Sequence, residues 1–208
     1  FSGSFTSFSL LALNILFVVL YVLHTYPLTE GVRSAVWSLE VGITAVFLVE
    51  YLARLWVSDD GLRKVIEPLM IVDLVAILPV ILVLAFPQFG LFNAGFLRLF
   101  RIFRIFRFFR VTQDREFFWG KVSESDLQII KLITIIFSIF FVSAGFFHEV
   151  EVTQNPNVEV FRDSLYYMVV TLTTVGFGDI TPVTNAGRWI TIISIMAGIV
   201  LIPWQASR

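Results

Sequence analysis

The stretch Thr174-Val175-Gly176-Phe177-Gly178 places glycine at alternate positions of a short segment flanked by apolar runs. Glycine reaches backbone angles closed to other residues, so successive carbonyls of such a loop can point the same way instead of alternating. A row of inward carbonyls can replace the water around a cation, which is coordination chemistry and not covalent catalysis. One loop makes only part of a ring, and the chain holds no second copy of it. A closed cage therefore needs several chains. A glycine turn between two helices is the plainer alternative for a GxG pattern taken alone.

A second pattern concerns charge. Arg98, Arg101, Arg104, Arg107 and Arg110 recur at every third position of an apolar run, each pair separated by two apolar residues. One arginine at mid-membrane costs roughly 2.5 to 3.5 kcal/mol on insertion scales, so such a row demands water, lipid phosphate or acidic partners. On an α-helix the row winds around the axis, whereas a 3₁₀ stretch would align it. A basic amphipathic helix lying on a lipid surface would show the same row. Intramembrane acids argue against that: Glu40 and Glu50 fall in one apolar run and Asp73 in the next, with Phe47 three residues before Glu50 on a shared helix face.

These residues need elements to hold them. Of the 208 residues, 57% are hydrophobic and 15% charged, the mean hydropathy is +0.86, and Phe occurs 23 times. Soluble domains carry about 25% charged residues, so this composition is that of a membrane chain. Without cysteine there is no disulfide or thiolate metal site, and His24 and His148 do not form a metal-ligand pair. Apolar runs of about the 20 residues that cross a bilayer lie at 8–26, 33–56, 68–86, 92–112, 126–149 and 184–207. The fold class expected is an all-α membrane protein. If the first span runs outward, most Lys and Arg outside the row fall on the inner side, so both termini are expected in the cytoplasm. Glu149, Glu151, Glu159 and Asp163 would then form an acidic rim at the outer face. A short pore-directed helix is expected over about 160–173, and an interfacial linker with Phe117-Phe118-Trp119 over 113–125. Because the chain opens on Phe1 and stops at Arg208 within an apolar run, it is expected to be an excerpt.

The loop resembles the selectivity filter of potassium channels. The likeness extends to Tyr166 and Tyr167, at the family's aromatic pair, and to Pro182, Thr184, Gly187 and Arg188 in the family's order. Residues 1–112 are similar to the four-helix voltage-sensor domain of six-span channels, and 126–208 to their two-helix pore domain with a re-entrant pore helix and filter. The resemblance implies a homotetrameric, voltage-gated, potassium-selective channel of the cell membrane, with K+ as permeant ion at Thr174, Val175, Gly176, Phe177 and Gly178 and no other cofactor. It implies that the five arginines are gating charges, and that Phe47, Glu50 and Asp73 form the site through which they pass. Glu40 matches the outer counter-charge, and Asn14 is a polar neighbour.

Gly198 stands at the family's hinge glycine, with close helix packing as the rival explanation, and Pro203 removes a helix hydrogen bond nearby. The family's Pro-x-Pro is absent, Phe177 replaces the commoner tyrosine, and Val170 stands where some two-span relatives have glutamate.

No nucleophile motif, nucleotide loop or metal cluster suggests an enzyme, and no nucleic-acid partner is expected; lipids, K+ and further copies of the chain are. The alternative is a six-span potassium channel gated mainly by a cytoplasmic ligand-binding domain beyond Arg208. A non-selective channel fits the complete filter poorly, and a sensor serving as a proton path would leave 161–182 without purpose.

Overall fold

The computed structural model describes residues 2–56, 67–85, 102 and 123–207. Among these it forms helices α1 (Ser2–His24), α2 (Glu30–Trp56), α3 (Pro68–Ala85), α4 (Glu124–Glu151), α5 (Phe161–Leu172) and α6 (Asn185–Ala206). Contacts divide the chain into two units, Ser9–Arg107 and Phe1–Phe8 with Phe108–Arg208. Three described helices, α2, α4 and α6, are long and apolar enough to cross a membrane.

Local signals explain the ends. Pro27 follows α1, and Pro68 opens α3, where the missing amide of proline costs nothing. Glu30 in the first turn of α2 suits the positive end of its helix dipole. Ser123 caps α4, its hydroxyl oxygen accepting the Asp126 amide at 3.1 Å. The helix thus begins at Glu124, two residues before the apolar run expected at 126, because the cap and not hydropathy sets the start. Thr184 caps α6 in the same way through the Gly187 amide at 2.8 Å.

In the first unit, α2 buries Val36, Glu40, Ile43, Thr44, Phe47 and Tyr51, one stripe at helical spacing. The stripe meets Phe17 and Leu20 of α1 and Met70 and Ile77 of α3 in a single apolar cluster. The Phe17 and Phe47 rings meet edge-on at 6.0 Å, a geometry that aromatic quadrupoles favour.

In the second unit, α4, α5 and α6 pack on one another. The face of α6 turned inward carries small residues, with Gly187, Ser194 and Gly198 buried. In lipid, where the hydrophobic effect does not join helices, small side chains let backbones approach and gain dispersion contacts. The remaining faces of α6 expose Trp189, Ile192, Ile193, Met196, Ile199, Val200 and Trp204.

Candidate functional site: a carbonyl loop at the end of a short helix

Helix α5 is short because both ends are held. At its start the Asp163 carboxylate accepts the amides of Glu159 and Val160, each at 3.1 Å, which is the return half of a capping box. At its end Thr173 turns the chain, donating its hydroxyl to the Val169 carbonyl at 2.6 Å.

The next residues leave the helix without leaving its hydrogen bonds. The amides of Val175 and Gly176 both donate to the Val170 carbonyl, at 3.0 and 3.2 Å. Positive φ occurs at Thr174 (62°), Gly176 (62°) and Gly178 (78°), and among the described residues Thr174 is the one non-glycine with it. Left-handed backbone costs a β-branched residue roughly 1–2 kcal/mol, so its use at Thr174 is backbone strain held in place by the surrounding bonds. Positive φ at every second position lets successive carbonyls point the same way instead of alternating. In the single chain the loop is open: Val175 is 55% and Phe177 70% exposed.

The aromatic pair behind the loop bonds in two directions. Tyr166 donates its hydroxyl to the Asp179 carboxylate at 2.8 Å, whereas the Tyr167 hydroxyl lies 3.0 Å from Thr191 of α6. Phe177, lacking a hydroxyl, bonds to neither. The bond to Asp179 comes first in raising the Tyr166 phenol above its ordinary value, with desolvation and the same carboxylate's charge adding to it.

Beyond the loop the chain is clamped by Glu151, the last residue of α4. Its Oε1 accepts the amide and hydroxyl of Thr184 at 2.9 and 2.6 Å. Its Oε2 accepts the Val183 amide at 2.9 Å and the Asn155 side chain at 2.7 Å. This corrects the acidic rim: Glu151 is wholly buried, because four donors offset the cost of removing a carboxylate from water. Asp163 is likewise occupied by the α5 amides and Arg162, which leaves Glu159 exposed and Glu149 half-buried. Nothing in the sequence marks backbone amides as partners of Glu151, although Thr184 followed by Gly187 is a visible trace. A Cβ on Gly187 would lie 2.1 Å from Glu151 Oε1, so glycine is needed there for close approach.

Gly198 meets Leu172 in ordinary contact, 3.5 Å from where its Cβ would be. That supports the packing explanation. Pro203 lies inside α6, which continues to Ala206.

In the other unit Phe47, Glu40 and Asp73 are buried. Asp73 shares a face of α3 with Met70, Ala76 and Ile77, the face that meets the Phe47 cluster. Glu40 has a neighbour the sequence did not suggest, His24 Nδ1 at 3.6 Å from Oε1. Glu50 is half-buried and accepts from Arg54 one turn along α2. Asn14 is half-buried. The row Arg98, Arg101, Arg104, Arg107 and Arg110 and linker residues 113–122 lie outside the described residues, where Ile102 alone is described and is buried.

The family described as ion transport protein matches residues 3–204. The potassium voltage-gated channel protein Shal of Drosophila melanogaster is 30% identical over 182 residues, 86% of this chain and 32% of that protein. The human A-type voltage-gated potassium channel KCND3 is 30% identical over 180 residues, 85% of this chain and 27% of that protein. The hyperpolarization-activated voltage-gated potassium channel of Methanocaldococcus jannaschii is 37% identical over 73 residues, 35% of this chain and 34% of that protein. The chain thus spans about a third or less of the length of these relatives.

Proposed function

The chain belongs to the ion transport protein family, and we propose that it is a voltage-gated, potassium-selective channel that assembles as a homotetramer and conducts K+ passively across the cell membrane. The observation that carries this is the left-handed backbone at Thr174, Gly176 and Gly178 in an exposed loop. The relatives' names, each that of a potassium channel, support the choice of ion.

In this proposal the carbonyls of Thr174, Val175, Gly176 and Phe177, with the Thr174 hydroxyl, take the place of the ion's hydration shell. Each protomer supplies a quarter of the cage. The apolar faces of α6 that the single chain exposes are covered by the other copies and by lipid. Residues 1–112 act as the sensor, 113–125 as the coupling segment and 126–208 as the pore, with both termini cytoplasmic.

Arg98, Arg101, Arg104 and Arg107 carry the gating charge past Phe47, Glu50 and Asp73, while Glu40 balances them nearer the outside. Arg110 either joins them or anchors the inner end. One elementary charge through 100 mV is worth about 2.3 kcal/mol, so three in each of four chains supply about 28 kcal/mol, ample to bias a gate. The sign of coupling has two readings. Outward movement of the arginines on depolarisation opens the pore in the first. Inward movement on hyperpolarisation opens it in the second, a reading that rests on the likeness to a channel named as hyperpolarization-activated.

Potassium flux from liposomes holding the purified chain, measured under imposed voltages of both signs, tests the proposal. Flux that rises steeply with one sign of voltage supports it. Flux indifferent to voltage would shift gating to a ligand domain outside this chain.

A further inference from the structure

Tyr167 is held from two sides. Its ring stacks on Phe147 of α4, with centroids 4.3 Å apart and planes 25° from parallel. Its hydroxyl lies 3.0 Å from Thr191 Oγ1 on α6. The direction of that bond follows from proton counting. The Thr191 hydroxyl donates its single proton to the Gly187 carbonyl at 2.8 Å, so its lone pair accepts and Tyr167 donates. The hydroxyl of Thr191 thus relays between α5 and the first turns of α6.

One turn further along α5, Val170 offers the carbonyl that accepts the amides of Val175 and Gly176. A continuous route therefore runs from α6 through Thr191 and Tyr167, along one helical turn, to the middle of the carbonyl loop. Helix α5 has only 12 residues and leads directly through Thr173 into that loop. Tyr167 is 7% exposed, and its ring, wedged against Phe147, cannot follow a displaced partner by changing rotamer without losing that stack. A shift of α6 at Thr191 either breaks the bond, leaving a buried hydroxyl without its acceptor, or carries α5 with it.

We propose that Tyr167 and Thr191 are positioning residues that couple α6 to the carbonyl loop and set how long the loop keeps its conducting geometry once the pore is open. This rests on the channel proposal above, and it extends that proposal to a contact made by neither the loop nor the sensor.

The test uses the full chain in planar bilayers and compares Tyr167→Phe, Thr191→Val, the double variant and Thr191→Ser. The readout is the rate of current decay during a sustained opening voltage, with potassium preference over sodium as control. Tyr167→Phe and Thr191→Val should each change the decay rate about two- to tenfold, the range that one net hydrogen bond spans. The double variant should match Thr191→Val and not the product of the singles, because Thr191→Val already removes the bond that Tyr167→Phe removes, together with its own bond to the Gly187 carbonyl. Thr191→Ser, which keeps the hydroxyl, should decay as the wild type does, and ion preference should be unchanged throughout.

Single variants that decay like the wild type, effects that multiply in the double variant, or a Thr191→Ser chain that behaves like Thr191→Val would each overturn the coupling. So would a Tyr167→Phe chain that no longer assembled, since the bond would then serve folding alone. A wild-type chain that carries no potassium current would instead remove the channel proposal, and the coupling with it. The two failures are distinguished by the wild-type record.

Discussion

Glu151 Oε1 accepts two hydrogen bonds from one residue, the amide of Thr184 at 2.9 Å and its hydroxyl at 2.6 Å. Through this pair the end of α4 fixes the start of α6, and the chain leaving the carbonyl loop is anchored between them. Because Thr184 also caps α6 through the Gly187 amide, one carboxylate secures a helix end that lies more than thirty residues away.

Glu151→Gln should therefore lower the thermal stability of the assembled protein. An amide nitrogen cannot accept, so at least one donor is stranded, at about 1.5–3 kcal/mol for a bond to a charged group. Thermal unfolding in detergent checks this, and an unchanged midpoint would show that the clamp is dispensable.

Gly187→Ala should destabilise too, since its methyl would sit 2.1 Å from a carboxylate oxygen that cannot swing aside without leaving its donors. The same alanine should cost less once Glu151→Ala has removed the nearest obstacle, leaving the Thr184 hydroxyl at 3.0 Å. Equal damage in both backgrounds would assign the requirement at 187 to something other than close approach.

Asp163→Ala should weaken the start of α5 by about 0.5–2 kcal/mol, as loss of a cap does. Its acid behaviour follows from the folded carboxyl. Burial alone would raise it, but the amides of Val160 and Glu159 and the Arg162 guanidinium together hold it below the ordinary 3.8. A group depressed on folding contributes stability that is present above its unfolded value and lost as pH falls through the folded one. Melting temperatures should accordingly fall more steeply below about pH 3.8 in the wild type than in Asp163→Ala. Parallel acid profiles would mean that the carboxylate contributes nothing.

Much of this arrangement is visible in the sequence, and the reasons are local. The helices α2, α4 and α6 are apolar runs of membrane length, α5 is bounded by the turn residues before it and the glycines after it, and alternate glycines at 176 and 178 mark the positive φ found there. The cap at Ser123 and the extension of α1 back to Ser2 are not apparent from hydropathy. Contacts between distant residues are not legible in it. Glu151 reads as one of several acids at an outer rim, because its partners are mostly backbone amides at 183 and 184, which no side chain announces. His24 and Glu40 meet across the turn between α1 and α2, and Tyr167 and Thr191 across a helix interface. Neither pair has a spacing that periodicity could reveal.

For the sensor, Glu50→Gln or Asp73→Asn should shift the voltage at which the pore opens while leaving ion preference alone. Glu50 accepts from Arg54, so its neutralisation frees that arginine as well and should give the larger shift. Arg101→Gln and Arg104→Gln should make the voltage dependence shallower. Conductance against voltage for each variant decides; altered ion preference with unchanged gating would place these residues in the wrong unit.

The central claim is that the loop Thr174 to Gly178 selects potassium by its carbonyls, and the reversal potential of the purified chain in a planar bilayer tests it most directly. With potassium on one side and sodium on the other, the current should reverse close to the potassium equilibrium potential, and Gly176→Ala should abolish it, because alanine resists the φ of +62° found there. Reversal near zero, with potassium and sodium passing equally, would contradict the carbonyl cage and leave the loop as a glycine turn between two helices.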